Sequence, residues 1–235
     1  MFSAFFKSFR AQLLLLIALP LAGMIVTSGV MVVNQTSEVR QYETLLPLVD
    51  VAKAASGLAH ELQKERGQTV GLITSGWNET QRANLNGQRA LSDTAKAGFL
   101  DVLAARRGVY NGAEATSLLE TLERQIAAIA DHRAKVNASS MTVGENVAFY
   151  TGTIENLIQL IARTGQSSPS VAVSEQLASF LALVQTKEHA GLERAIGAAL
   201  FNMAANGEFA LARYQAYYAR LANETAALKQ FHDVA

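Results

Sequence analysis

Apolar residues recur at three- and four-residue steps through most of this chain. From Pro47 to Thr74 the residues Leu58, Leu62, Thr69 and Leu72 fall close to one stripe, the spacing of one helix face. Pro47 suits a first turn, where its missing N–H costs nothing. Ser75-Gly76-Trp77-Asn78 reads as a turn. A second helix is predicted from Glu79 to about Arg107, carrying Arg82, Arg89 and Asp93, until Gly108 to Gly112 break it. A third covers Glu114 to Val136, with Leu118, Leu122, Ile126 and Ile129 at helical spacing. Thr142-Val143-Gly144-Glu145 has the form of a capping box and opens a fourth, which carries Ile154, Leu157 and Ile161 and stops by Gly165. Ser168-Pro169 opens a fifth, through Leu177, Leu181 and Val184 to about Ala205, where Asn206-Gly207 ends it. The last runs from Glu208 through Tyr214, Tyr217, Leu221 and Leu228. Alternating β-branched runs that would make strands are absent outside the N-terminal segment. Long helices joined by short turns pack antiparallel. The expected fold is therefore all-α: an antiparallel bundle of about six helices, or two stacked four-helix bundles sharing long helices.

The N-terminus follows a different pattern. Lys7 and Arg10 lie among Phe2, Phe5, Phe6 and Phe9, and an uncharged run from Leu13 to Val33 follows. That length spans a bilayer, and Pro20, Gly23 and Gly29 are tolerated in membrane helices. The basic residues before the run predict a cytoplasmic N-terminus. A cleaved signal peptide is the rival, but its apolar core is typically shorter. The expected division is a cytoplasmic segment at 1–12, a transmembrane helix at 13–33, a juxtamembrane helix or linker at 34–54 and a helical domain at 55–235.

Composition narrows the function. The 235 residues carry 20 basic and 20 acidic side chains, with no basic run, so nothing points to nucleic acid. The absence of cysteine excludes disulfides and thiolate chemistry. There is no Gly-rich phosphate loop, no Gly-x-Ser-x-Gly and no kinase set. His60-Glu61 lacks a second histidine one turn on, and His60, His132, His189 and His232 are scattered, so no metal site is expected. No cofactor is implied, and no catalytic residue is assigned.

Two segments stand out. Leu62-Gln63-Lys64-Glu65-Arg66-Gly67-Gln68-Thr69 and Lys187-Glu188-His189-Ala190-Gly191-Leu192-Glu193-Arg194-Ala195 each set a Glu-Arg pair beside glycines in an Ala-rich helix. A helix interior disfavours glycine by roughly 1 kcal/mol against alanine, so these glycines suggest close helix approach or room for a small ligand. A guanidinium is planar, permanently charged and presents parallel donors that match two oxygens of a small planar anion. Arg66 and Arg194 are the candidate ligands, Arg89 a weaker one, and Arg163 and Arg213 weaker still. Glu65, Gly67, Thr69, Lys187, Gly191 and Glu193 are the candidate supporting residues. In the competing reading, Arg66 and Arg194 pair with Glu65 and Glu193 and no ligand binds.

These two segments resemble the signature segments of the nitrate- and nitrite-sensing (NIT) domain family, and Gln88-Arg89-Ala90-Leu91-Ser92-Asp93-Thr94-Ala95 resembles a third. The resemblance runs from about Ala55 to the C-terminal end. It implies a nitrate or nitrite anion held between arginines on two facing helices, so the helices bearing the two signatures should be neighbours. It further implies the extracytoplasmic input region of a bacterial chemoreceptor (methyl-accepting chemotaxis protein) or sensor kinase in the inner membrane. Such receptors continue into a second membrane helix and an output module, and no output can be assigned from the residues up to Ala235. A homodimer through the first helix is expected from Val39, Leu45, Leu46 and Val49. The alternative is a membrane-tethered structural or partner-binding bundle with no small ligand.

Overall fold

The structure is a computed structural model that describes residues 9–110, 112–166, 171–205 and 211–234. Among these, every regular element is helical. Helix α1 is Phe9–Thr74, α2 Glu79–Arg106, α3 Ala113–Ala127, α4 Ile129–Asn137, α5 Val143–Gln166, α6 Val171–Ala205 and α7 Leu211–Val234. A 3₁₀ turn, Arg107–Val109, follows α2. The chain divides into two compact units, Met1–Leu46 and Pro47–Ala235.

In the first unit, Leu16–Asn34 is long and apolar enough to cross a membrane, and none of it is buried. Lys7 lies outside the described residues.

The second unit is built around the part of α1 that follows Pro47. Val51, Ala55, Leu58, Leu62, Glu65, Thr69 and Leu72 are fully or almost fully buried, and so is the adjacent Arg66. That burial extends beyond a single stripe, so α1 is covered on several sides. Gln88 of α2 donates to the Glu61 backbone carbonyl at 3.2 Å. Arg133 of α4 reaches Glu65, Asn146 of α5 donates to the Arg66 carbonyl, and Glu188 of α6 meets Arg66. At the C-terminal end of α1, Leu72, Leu85, Val136 and Met141 form one apolar cluster, against which Ile73 and Trp77 pack.

Contacts set the directions. Arg106 pairs with Asp50 and Gln88 with Glu61, so α2 runs antiparallel to α1. Tyr110 lies against Thr164, and the chain then climbs through α3 and α4 to the Leu72 cluster. Asn146, near the start of α5, meets Arg66, while Thr164 near its end returns to Tyr110, so α5 descends. Lys187 then meets His60 and, one turn on, Gly191 lies against Arg66. Thus α6 runs parallel to α1, the outcome of an even number of reversals between them, and the helices bearing the two signatures are neighbours.

Local sequence accounts for the boundaries. The Asn78 side chain caps α2, accepting from Thr80 N at 2.9 Å. Before α5, Glu145 Oε2 accepts from Thr142 N at 2.9 Å and Thr142 Oγ1 accepts from Glu145 N at 3.2 Å, a complete capping box.

Two expectations need correction. The predicted third helix is divided at Ala128, whose ψ of −10° departs from helical values although its N–H still reaches Arg124 O at 3.0 Å. No glycine or proline marks this kink, so the pattern of apolar positions runs through it. Pro47 does not open a helix but lies inside α1, at the boundary between the two units, with the lost hydrogen bond that an interior proline imposes. Ser168, Pro169, Asn206, Gly207 and Glu208 lie outside the described residues.

Candidate functional site

Adjacent residues on a helix point about 100° apart, so the Glu-Arg dipeptide of α1 cannot close on itself. Its two side chains serve different partners.

Glu65 turns toward α4 and α5. Its Oε1 accepts from Arg133 Nε at 2.7 Å and from the Tyr150 hydroxyl at 2.8 Å, and its Oε2 accepts from Arg133 Nη2 at 2.9 Å. Arg89 Nε stands 3.7 Å from the same carboxylate, and Arg133 also bonds both oxygens of Asp93 at 2.9 Å. Burial works to raise the Glu65 carboxyl, but the Arg133 guanidinium and the Tyr150 hydroxyl outweigh it and hold it below the usual carboxylate range. Burial and then the Glu65 carboxylate push the Tyr150 phenol upward, against the Arg133 and Arg89 charges. This cluster joins four helices of the bundle: ion pairs link α1, α2 and α4, and the Tyr150 hydrogen bond adds α5.

Arg66 turns toward α6. Its Nη1 donates to Glu188 Oε1 at 2.6 Å and to Thr151 Oγ1 at 2.8 Å, and its Nη2 donates to Glu188 Oε2 at 3.1 Å. Gln63 Nε2 donates to Glu188 Oε2 at 2.8 Å. The pair is dry, with side-chain exposures of 2% and 3%. Gly191 makes this approach possible: a Cβ there would lie 3.3 Å from Arg66 Nη2. Gly67, by contrast, has nothing near the place of its missing Cβ and opens the surface instead.

Beside this pair runs a groove of about 440 Å³, lined among the described residues by α1 and α6. Lys64, Arg66, Lys187 and Arg194 line it, with His60, Gln68 and Gly67, and among the described residues no acidic one does. Lys64 is engaged by Glu61 at 3.0 Å and Arg66 by Glu188. The Lys187 ammonium meets His60 Nδ1; burial and the neighbouring Lys64 charge hold the ammonium below its usual range, against the pull of Glu61. Burial, with the Lys187 charge beside it, likewise lowers the His60 imidazole. Arg194 is exposed in this groove and makes no hydrogen bond or ion pair among the described residues.

The sequence candidates therefore separate. Arg66, Gly67, Lys187, Gly191 and Arg194 come together at the groove. Glu65 and Thr69 do not line it: the Thr69 hydroxyl donates to the Glu65 carbonyl at 2.8 Å in the interior. Glu193 also lies apart, accepting from the Tyr217 hydroxyl of α7 at 2.9 Å. Arg89 is buried away from the groove and donates to Asn137 Oδ1 at 2.8 Å. Arg163 pairs with Glu114, and the side chain of Arg213 lies outside the described residues. The pairing of each arginine with its adjacent glutamate, on which the competing reading relied, is not seen among the described residues. The partner of Arg66 is Glu188, which sequence reasoning left out of the site. Val184, Glu188 and Leu192 stand at four-residue steps and all are buried, so a carboxylate on an apolar stripe was the available signal. Arg133 and Tyr150, distant in sequence from Glu65, carried none.

A family model for nitrate and nitrite sensing matches residues 57–235. No curated protein matches the chain. Among solved structures, that of the NasR transcription antiterminator is similar, with a TM-score of 0.77 and 23% identity. The match covers 87% of this chain and 56% of that one, so this chain spans little more than half of NasR's length, and at this identity the likeness is one of fold. With three quarters of its length matched, the chain belongs to the NIT family of nitrate- and nitrite-sensing domains.

Proposed function

We propose that this chain is the input part of a membrane-anchored bacterial signal-transduction receptor, and that it binds nitrate, nitrite or a similar small anion in the groove between α1 and α6. The observation that carries the reading is the groove's lining: among the described residues, four cationic side chains and no carboxylate, in a chain of neutral net charge. Arg66 supplies a guanidinium fixed in a dry setting, where charge-assisted hydrogen bonds are strong. Arg194 supplies an exposed one from the facing helix. An anion bound by both ties α6 to α1, and ligand-dependent packing of two helices is what a sensor requires. No catalytic role is proposed.

The anchor in this reading is 13–33, with 1–12 in the cytoplasm, 34–54 leading out of the membrane and 55–235 forming the sensory domain outside the cytoplasm. The motive is the apolar, unburied helix at Leu16–Asn34. Leu46 and Val49 of α1 are 62% and 39% exposed, which suits a homodimer through that helix; the side chains of Val39 and Leu45 lie outside the described residues. A mature N-terminus mapped beyond Val33 would contradict the anchor.

One observation favours the alternative, a tethered structural or partner-binding bundle: Arg66 already has an anion, the Glu188 carboxylate. Melting curves of the full chain in detergent, with sodium nitrate, sodium nitrite or sodium chloride at one ionic strength, separate the two readings. A nitrate- or nitrite-dependent rise in Tm over chloride is expected of the sensor. Identical curves in all three salts are the outcome for the bundle.

A further inference from the structure

The Arg66–Glu188 pair separates two cavities. On the α1 side lies the cationic groove, which Arg66 lines. On the other side lies an alcove of about 220 Å³, which Glu188 lines together with Glu155, Gln185, His189 and Arg220. Glu188 is thus placed with one face on Arg66 and the other toward this alcove.

A carboxylate and a nitrate or nitrite ion are alike where Arg66 is concerned. Each is planar, singly charged and offers two oxygens to the fork. Glu188 occupies the edge formed by Nη1 and Nη2, with both bonds made. An external anion cannot use that edge while Glu188 holds it. Nor can both anions share it, since like charges in a dry site repel strongly. The alcove offers somewhere for the carboxylate to go. Arg220 supplies a positive charge there, and the Nδ1 of His189 is buried with no hydrogen-bond partner among the described residues. The Glu155 carboxylate opposes the move and Gln185 supplies an amide, while Gln63, which now donates to Glu188, lines the groove and stays behind on α1.

We infer that Glu188 is an internal competitor of the sensed anion: it occupies Arg66 in the empty sensor, and binding displaces it from the Arg66 fork toward the alcove of His189 and Arg220. The inference rests on the sensor reading given above. Its consequence is a switch in what joins the helices. Empty, α6 is held to α1 by its own carboxylate. Filled, it is held through the anion shared by Arg66 and by Arg194, which follows Glu188 on α6. Tyr217 on Glu193 and the 3.5 Å approach of Tyr217 to the place of a Cβ on Gly197 tie α7 to the same stretch of α6, so a shift of α6 is passed to α7. Affinity is set by the competition, because a ligand must overcome the internal carboxylate before it gains the arginine.

The test is calorimetric titration of the full chain in detergent with sodium nitrate, chloride replacing nitrate in the control, on the wild type and on Glu188→Gln. The substitution keeps the shape and removes the competing charge. Expected is binding at least about tenfold tighter in E188Q, equivalent to about 1.4 kcal/mol. Equal or weaker binding in a folded E188Q overturns the inference and leaves the sensor reading standing. Absence of nitrate binding in both proteins overturns both. Binding in E188Q alone supports the inference in its strongest form. An uncompensated Arg66 could prevent E188Q from folding in chloride. Helicity by circular dichroism then replaces calorimetry: nitrate but not chloride at equal ionic strength should restore it, and failure to do so at saturating nitrate overturns the inference.

Discussion

Glu65→Gln separates what holds the bundle together from what would bind a ligand. The glutamine keeps the volume and one acceptor but loses the charge, and it turns an amide N–H₂ toward a guanidinium that already presents donors. Arg133 then keeps Asp93, which is near the surface, while Arg89 keeps only Asn137 close by. Two bonds from Arg133 and one from Tyr150 converge on a carboxylate that is fully buried. Breaking such a buried pair by removing one partner costs roughly 3–5 kcal/mol. For a unit of this size each kcal/mol shifts Tm by about 2–4 °C, so E65Q should melt roughly 6–20 °C below the wild type. The acid limb should change as well. A carboxyl held low in the folded state stabilises above its unfolded pKa, about 4.3, and that stability is lost as pH falls through the lower folded value. E65Q should therefore show a shallower loss of stability in that acid window. The nitrate-dependent rise in Tm should survive unchanged, because Glu65 does not line the groove. Thermal melts by circular dichroism at neutral and acid pH provide the assay. A drop equivalent to less than about 1 kcal/mol would refute the account of the cluster, and loss of the nitrate effect in a folded E65Q would refute its separation from the groove.

Gly191→Ala should weaken nitrate binding severalfold with a Tm change within about 2–4 °C, since its Cβ would press on Arg66 Nη2 at 3.3 Å while alanine improves helix propensity by about 1 kcal/mol; calorimetry and melts check the two halves. His132 stacks on Phe149 at 4.0 Å and its Nε2 meets Asn146 Oδ1 at 3.0 Å, and burial lowers its pKa against the pull of Asn146 and Glu65. The unfolded imidazole takes its proton near pH 6.5 and the folded one only at lower pH, so stability should fall as pH drops below about 6.5. His132→Gln should flatten that slope in urea titrations across the window, leaving the shares of His60 and His189, which are lowered in the same sense.

The helical pattern was legible because α1, α2 and α5 carry their own signals: a buried stripe through Leu58 and Leu62, the Asn78 cap and the Thr142–Glu145 capping box. Each is local, decided within a turn or two of the residues concerned. The kink at Ala128 was not legible, since an alanine with helical hydrogen bonds on either side leaves no mark in the sequence. At the groove, the arginines and glycines of the two signatures could be read, yet their partners could not. Arg66 meets Glu188 across 122 positions, and Glu65 meets Arg133 and Tyr150 across 68 and 85. Such pairs depend on how far around each helix a side chain points and on which helix lies there, and the adjacent Glu65-Arg66 dipeptide does not reveal that Arg66 meets Glu188.

The central claim, that the groove between α1 and α6 binds the anion, turns on Arg194. This arginine lines the groove, is exposed and makes no hydrogen bond or ion pair among the described residues, so its removal should leave the fold intact. The measurement is calorimetric titration of the full chain with sodium nitrate on the wild type and Arg194→Ala, beside their melting curves in chloride. A charge-assisted hydrogen bond contributes roughly 1.5–3 kcal/mol, so R194A should lose at least about tenfold in affinity with Tm within about 2 °C of the wild type. Undiminished nitrate affinity in R194A would place the anion elsewhere and contradict the account.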